Sequence, residues 1–418
     1  MSWMRGISAL MESDNPREEP AAQEMIIDGA RYDVSRWVNK HPGGSIILKF
    51  LGRDATDVFV AFHNALARKT LARYRLGDAP VTRGEAADIE RDFRALRDEI
   101  TAEGLFTARR GFYAMKTAWV IGLITAGVAL RLIDASVWAT VLSAVLVAVG
   151  WQQGGWLSHE FLHHAVFKNR RTGRLAGVAL GGFWLGYSAD WWNEKHNTHH
   201  ALPNVHGADP DIDVFPALAF TPRDLKRARW SWQRWALRQQ TWTVFPIVAL
   251  ARLNWTIQSF IWPLTHKGIP FRRYEILGQV LHQAWVIAIT LHAPTWQNAL
   301  LWFAVSQIVS GLLISLVFIV GHNARPILVE DGAPDFWSLQ VVTTRNVRVN
   351  ALTRWFFGGL ETQTEHHLFP TLPRHAHAAV KSRVQALCAK HGIDYCEEGM
   401  LMALLHVWLG LRDVAKRA

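Results

Sequence analysis

The sequence predicts a soluble N-terminal module joined to an all-α integral membrane body, with four transmembrane helices in two hairpins, interfacial helices and a histidine-rich cap on one side. Three observations predict it. The first 80 residues mix 11 Lys/Arg with 10 Asp/Glu and hold no apolar run of spanning length. Further on, Ala135–Leu157 and Asn298–Gly321 carry no charge over 23 and 24 positions, and about 20 apolar residues cross the hydrocarbon core of a bilayer. The 19 histidines, finally, cluster where the apolar stretches end.

Composition narrows the class. Half of the 418 residues are hydrophobic, 19% are charged, 21 are Trp and the mean hydropathy is +0.04, which excludes fibrous, low-complexity and disordered chains. The net charge of +10 beside apolar segments suits anionic lipid headgroups or acidic substrates, with no nucleic acid as partner. With only Cys388 and Cys396, no disulfide framework forms, and a reducing, cytosol-facing location follows.

Residues 1–23 read as a flexible N-terminus; Arg5, Glu12, Asp14 and Arg17 break any apolar core of the kind a secretory signal needs. The module occupies 24–80. Residues 81–111 read as a linker containing a charged surface helix near 83–104, where apolar residues recur at helical spacing. The body, 112–418, has uninterrupted apolar spans at 135–157 and 298–321. Weaker ones at 112–130 and 276–294 are interrupted by Lys116 and His282. The connecting loops near 132–136 and 292–297 are almost free of basic residues, whereas 158–240 holds 11 Lys/Arg. The positive-inside rule then puts the module, the loop 158–275 and the tail 322–418 together in the cytosol. Length does not settle Leu175–Ala189. Thr241–Leu264, with Arg252 inside it, reads as an interfacial or re-entrant helix, since one more crossing would invert all that follows.

Nine imidazoles emerge on that one side: HEFLHH (159–164), HNTHH (196–200), His322 after the last span, and QTEHH (363–367). Residues i, i+3 and i+4 share a helix face, so His196, His199 and His200 converge, as do Gln363, His366 and His367, and His159 pairs with His163. A tetrahedral zinc uses three or four protein ligands; eight or nine imidazoles suit two ions, and nitrogen donors suit iron, copper or zinc. His159-Glu160-x-x-His163 also matches the zinc metalloprotease pattern, with Asp209, Asp211 or Asp213 as a further ligand. That reading leaves the other two boxes without a role. In the module, His41 of His41-Pro42-Gly43-Gly44 and His63 lie 22 residues apart, flanking Gly52-Arg53-Asp54-Ala55-Thr56-Asp57. Two opposed histidines of this kind suit both axial positions of an electron-carrying haem.

HPGG with the Asp-Ala-Thr stretch resembles cytochrome b5, an α+β haem domain, over about 24–78. GWLSHEFLHHAVF (155–167), WWNEKHNTHHALPNVHGADPDIDVFP (191–216) and WFFGGLETQTEHHLFPTLPRH (355–375) resemble the front-end fatty acyl desaturases, whose third box opens on Gln. The resemblance implies haem b held by His41 and His63. It implies two iron ions held by His159, His163, His196, His199, His200, His322, His366 and His367, with Gln363 a ligand or near neighbour and His164 undecided. Glu160 and Thr364 depart from the family's usual Asp and Ile without removing a ligand.

The implied activity is an O2-dependent delta-6 desaturation of linoleoyl and alpha-linolenoyl chains, carried on coenzyme A or phospholipid, in the endoplasmic reticulum membrane. Electrons would come from NADH through cytochrome b5 reductase and the fused haem. Delta-8, delta-5 and sphingoid-base desaturases share the same boxes. A zinc intramembrane protease and a non-catalytic haem-binding adaptor are the readings from other classes, and self-association as a homodimer is left open.

Overall fold

The computed structural model describes residues 23–79, 87–329 and 334–418. The expected flexible N-terminus, apart from Gln23, and residues 80–86 at the start of the expected linker lie outside them. In the module, β1 (Glu24–Ile27) and β2 (Ala30–Asp33) form a hairpin in which Ile27 faces Ala30, and β3 (Arg75–Asp78) adds to β2 antiparallel. Between β2 and β3 stand α1 (Thr56–Phe62) and α2 (Ala65–Leu71). Asn64 separates the two helices, its side chain accepting the Leu66 and Ala67 N–H groups at 3.1 and 3.3 Å, a normal N-cap. Met25, Ile27, Val34, Ile47 and Phe59 make the small core.

Helix α3 (Ala87–Ala102) is less of a surface helix than its charges suggest. Phe93, Leu96 and Ile100 are buried, and Phe93 stacks on Trp337 at 5.3 Å. Its other face keeps the charges, and Arg94 Nε donates to Asp57 Oδ1 of the module at 2.5 Å.

Helices α4 (Arg110–Ile133) and α5 (Val137–Leu162) form an antiparallel hairpin, and Ser136 caps α5 by accepting the Ala139 N–H at 3.2 Å. After α5 come α6 (Arg170–Val178), a π-helical turn at Ala179–Leu185, and α7 (Ala189–Ala201), so the short apolar stretch 175–189 is a broken segment. Thr241–Leu264 becomes α8 (Gln240–Ala249) and α9 (Ala251–Thr265), bent by 54° at Leu250. Helices α10 (Arg272–Leu291) and α11 (Trp296–His322) follow. By length and composition α4, α5 and α11 are able to cross a membrane, and the bent pair would make a fourth such span. Helix α10, over the expected span 276–294, is not among them: Arg272, Arg273 and Glu275 open it, and Gln279 and His282 are buried in it. His282 of α10 and Arg252 of α9 serve the π turn. His282 Nδ1 meets the Phe183 carbonyl at 2.9 Å, and Arg252 Nη1 donates to the Leu185 carbonyl at 2.8 Å. Gly278 allows the approach, since a Cβ there would lie 3.2 Å from the Gly182 Cα.

One end of the bundle is tied by a polar knot. Arg131 donates to Thr140 (2.8 Å) and to Asn298, while the Trp302 indole donates to Ser143 at 2.9 Å. At the other end, α12 (Phe336–Thr343), α13 (Gln363–Leu368), α14 (His377–Lys390) and α15 (Met400–Ala415) form the cap. A short parallel pair, Asn346–Arg348 with Glu397–Gly399, holds it together. The helix Ser231–Arg238 exposes Trp232 and Trp235.

Candidate functional site

Every histidine box reaches the capped end. The last turn of α5 brings His159 and His163, α7 brings His196, His199 and His200, α11 ends on His322, and α13 carries Gln363, His366 and His367. They sort into two groups whose donor atoms lie within 4.8 Å of one another: His159, His163, His196, His200 and His366 in one, and His199, His322 and His367 in the other. The groups adjoin, for the His200 and His367 rings stack at 4.0 Å. Gln363 Nε2 lies 2.8 Å from His322 Nε2, adding an amide to the three-histidine group. His164 belongs to neither.

The donors suit metal ions. All are buried, and His163 Nε2, His366 Nε2 and His367 Nε2 have no hydrogen-bond partner, which buried polar atoms seldom lack. Imidazole nitrogens also face one another, His159 Nε2 and His200 Nε2 lying 3.1 and 3.0 Å from His196 Nε2. Two acceptors that close are favourable with a cation between them. Burial holds His196, His200, His366 and His367 well below the ordinary imidazole value, keeping them in the neutral form that binds metal. In His199 burial acts the same way, but Asp209 and Asp211 outweigh it and raise the group to about 9.

Polar partners aim the rings, as they do around metal ligands generally. Asp209 Oδ2 lies 3.0 Å from His199 Nδ1, and Gln340 Oε1 lies 3.0 Å from His367 Nδ1. Trp192 packs on His196 with ring centroids 4.3 Å apart. Thr364, the departure beside the third box, pairs its hydroxyl with Thr344 at 2.9 Å. Sequence reasoning weighed Asp209 only as a metal ligand and missed Gln340; nothing in their spacing marks either as a partner of a particular histidine.

Glu160 does not face the histidines. Its carboxylate accepts the Tyr113 hydroxyl at 2.6 Å and the Arg374 N–H at 2.9 Å, and it pairs with the Arg374 guanidinium. A protease would need that carboxylate beside the metal to activate water, so the H-E-x-x-H pattern is a coincidence of the first box.

His41 and His63 stand on opposite sides of a cavity of about 330 Å³, their ring centroids 5.8 Å apart. Each Nδ1 is tied to a backbone carbonyl, His41 to Gly44 at 3.2 Å and His63 to Phe59 at 3.1 Å, which leaves both Nε2 atoms for an axial bond. Burial pulls His63 down to about 3 and lowers His41 too, so both are neutral. The pair fits a haem. The module docks on the metal face: Glu194 accepts the Ser45 N–H at 2.9 Å, Asn197 Nδ2 donates to the Gly43 carbonyl at 3.1 Å, and Arg170 Nη2 donates to the Phe62 carbonyl at 2.6 Å. Phe62 meets His200 edge-on, with centroids 6.1 Å apart.

A helical bundle with several membrane-length apolar helices, a cavity flanked by two histidines and a double histidine cluster point to an oxidoreductase of the membrane desaturase class, and the comparisons agree. Residues 136–399 match the fatty acid desaturase family and residues 18–80 the cytochrome b5-like haem/steroid binding domain. The chain belongs to the fatty acid desaturase family, in the front-end branch that carries a fused cytochrome b5 domain. It is 34% identical to an acyl-lipid (9-3)-desaturase of Physcomitrium patens, covering 99% of this chain and 81% of that one. It is 36% identical to a Delta(8)-fatty-acid desaturase of Euglena gracilis (92% and 94% covered) and 31% identical to a Delta(6)-fatty-acid desaturase of Caenorhabditis elegans (89% and 91% covered).

Proposed function

We propose that this chain is a delta-6 front-end desaturase acting on linoleoyl and alpha-linolenoyl chains. The observation that carries the desaturase chemistry is the pair of buried nitrogen clusters next to the His41–His63 cavity. The delta-6 assignment is supported by the text of the second box and by a Delta(6) relative at 31% identity. Other relatives act at other positions, which makes delta-8, delta-5 and sphingoid-base desaturation the readings to test against it.

In this reading His159, His163, His196, His200 and His366 hold one iron, and His199, His322, His367 and Gln363 hold the other. His41 and His63 hold haem b. The bound irons supply the oxidising power, with O2, that an unactivated methylene requires. The protein's own residues exclude water from that centre, keep His196, His200, His366 and His367 neutral by burial and aim the rings of His199 and His367 through Asp209 and Gln340. Docking of the module through Arg170, Glu194 and Asn197 shortens the path from the haem cavity to the clusters, and the covalent tether raises the module's effective concentration there. Electrons come from NADH through cytochrome b5 reductase.

We place the haem domain at 24–80, the linker and its helix at 81–111 and the desaturase body at 112–418, in the endoplasmic reticulum with both redox sites facing the cytosol. Basic residues between 158 and 240 support that orientation, and exposed Trp230, Trp232, Trp235 and Trp242 fit a belt at headgroup level. The test is expression in a yeast lacking polyunsaturated fatty acids, fed linoleate and alpha-linolenate, with the new double bond located by mass spectrometry. A bond at carbon 6 supports the assignment; products only from longer acyl chains or sphingoid bases replace it.

A further inference from the structure

The cavity between His41 and His63 is not made by the N-terminal module alone. Its inner wall is apolar, with Ile27, Val34, Ile47 and Phe59. The membrane body completes the lining, with Leu162 and Ala201 and the polar His164, Arg170, Asn193 and Asn197. Among these the His164 Nδ1, the Arg170 Nε and the Asn193 Oδ1 are buried without a hydrogen-bond partner. Leaving such atoms unpaired is costly; the Arg170 N–H, and the His164 Nδ1 when it carries the proton, are donors that a carboxylate would satisfy, whereas the Asn193 oxygen is an acceptor that it would not. Arg170 is held in place there, because its Nη2 donates to the Phe62 carbonyl, next to His63. His164 is the one imidazole of the first box that neither metal group includes; α5 ends at Leu162 with His163 as its C-cap, and the chain turns at His164 with φ of 60°.

Haem b carries two propionate carboxylates. The module lines the cavity with apolar residues and with the uncharged Asn64, Thr70 and Tyr74, and brings no guanidinium or ammonium to pair with an ionised carboxylate, whose unpaired burial would be strongly disfavoured. The membrane body offers a guanidinium, an imidazole and two amides. We propose that the membrane body itself binds the propionate edge of the haem, with Arg170 as the carboxylate-binding residue and His164 and Asn197 beside it, so that the haem site is complete only when the module is docked. The inference rests on the reading of His41 and His63 as haem ligands. It assigns His164 to the haem and not to the metal clusters, and it makes haem retention a property of the whole chain.

The test uses the full-length protein in detergent, loaded with haem b or with its dimethyl ester, which lacks the carboxylates. Transfer of the porphyrin to excess apomyoglobin is followed by absorbance for wild type, R170Q and K168Q, Lys168 being an exposed neighbour outside the cavity wall. R170Q is expected to lose haem b roughly 10- to 100-fold faster than wild type, the range for a hydrogen bond to a charged group. K168Q is expected to match wild type, and with the dimethyl ester R170Q and wild type are expected to match each other. Loss of haem b from R170Q at the wild-type rate overturns the inference. So does equal acceleration with both porphyrins, which would make Arg170 a docking residue only. A wild-type chain that takes up no haem overturns instead the axial reading of His41 and His63, and it shows before any variant is compared.

Discussion

Asp209 sits behind His199 with its side chain fully buried, and the replacement Asp209→Asn isolates what its charge does for the second metal group. The carboxylate serves three donors: His199 Nδ1 at 3.0 Å and the Asn204 N–H at 2.7 Å on Oδ2, and the Asp211 N–H at 2.9 Å on Oδ1. An asparagine has the same shape but one acceptor. With its oxygen toward His199, the amide nitrogen opposes the Asp211 N–H; turned over, it opposes both others. Either way a buried donor loses its partner, at about 1–3 kcal/mol, and His199 loses the negative charge that makes it a strong donor to metal. Replacing such an outer partner lowers metal affinity roughly 10- to 100-fold. The measurement is iron retained per chain, by mass spectrometry, over time in excess chelator. Dissociation is the quantity to follow, because uptake also depends on the proton that Asp209 helps His199 to keep. The wild type is expected to hold two irons per chain; D209N is expected to fall toward one, about 10- to 100-fold faster, with desaturation lost alongside. Equal retention of both irons in D209N would refute the reasoning that the Asp209 carboxylate supports metal binding through His199.

Four further outcomes are expected. Gly44 has φ of 88° and a Cβ there would run into the Glu194 carboxylate, so Gly44→Ala is expected to speed haem loss and cut NADH-driven desaturation about tenfold while iron content stays at two; full NADH-driven activity would contradict the docked arrangement. Glu160→Gln breaks a pair whose side chains are 9% and 8% exposed, a change worth roughly 3–5 kcal/mol, visible as a lower thermal midpoint by tryptophan fluorescence with iron retained. Asn298→Ala takes away an acceptor of the buried Arg131 and is expected to lower the same midpoint by an amount equivalent to about 1–3 kcal/mol; an unchanged midpoint would show that the knot does not hold the hairpins. His199→Ala and His366→Ala are each expected to abolish product in the yeast assay, whereas His406→Ala, on a side chain 41% exposed and paired with Glu398, is expected to keep it.

Runs such as Asn298–Gly321 are legible in one dimension, because absence of charge over a fixed length is what a bilayer requires. The boxes are legible for a similar reason: offsets of three and four put imidazoles on one helix face wherever the helix lies. The division of those imidazoles is not. His199 and His200 are neighbours on α7 yet join different groups, a choice made by where α11 and α13 arrive. His164 reads as one more box residue until the docked module supplies the cavity it lines. Asp209 and Gln340 act across 10 and 27 residues, and no periodicity marks them. Helix α3 looks solvated because its charged face dominates the text, while Phe93 and Ile100 await Trp337 and α14. The polar interruption of α10 has a physical source as well, since His282 meets the Phe183 carbonyl of the π turn.

The spread of the metal-binding histidines along the chain also sets an order in time. The residues around His41 and His63 leave the ribosome early, but the first group of imidazoles is incomplete until His366 has followed, and the second until His367. At about 5–20 residues per second, the 208 residues from His159 to His367 take roughly 10–40 s to synthesise. During that interval His159, His163 and the three histidines of α7 exist without the histidines that complete their two groups. Zinc and copper bind nitrogen donors more tightly than ferrous iron does, so partly assembled histidine groups would hold those ions in preference to iron wherever all are present. Correct maturation of this enzyme is therefore a matter of which ion is abundant at the membrane surface while the last quarter of the chain is still being made.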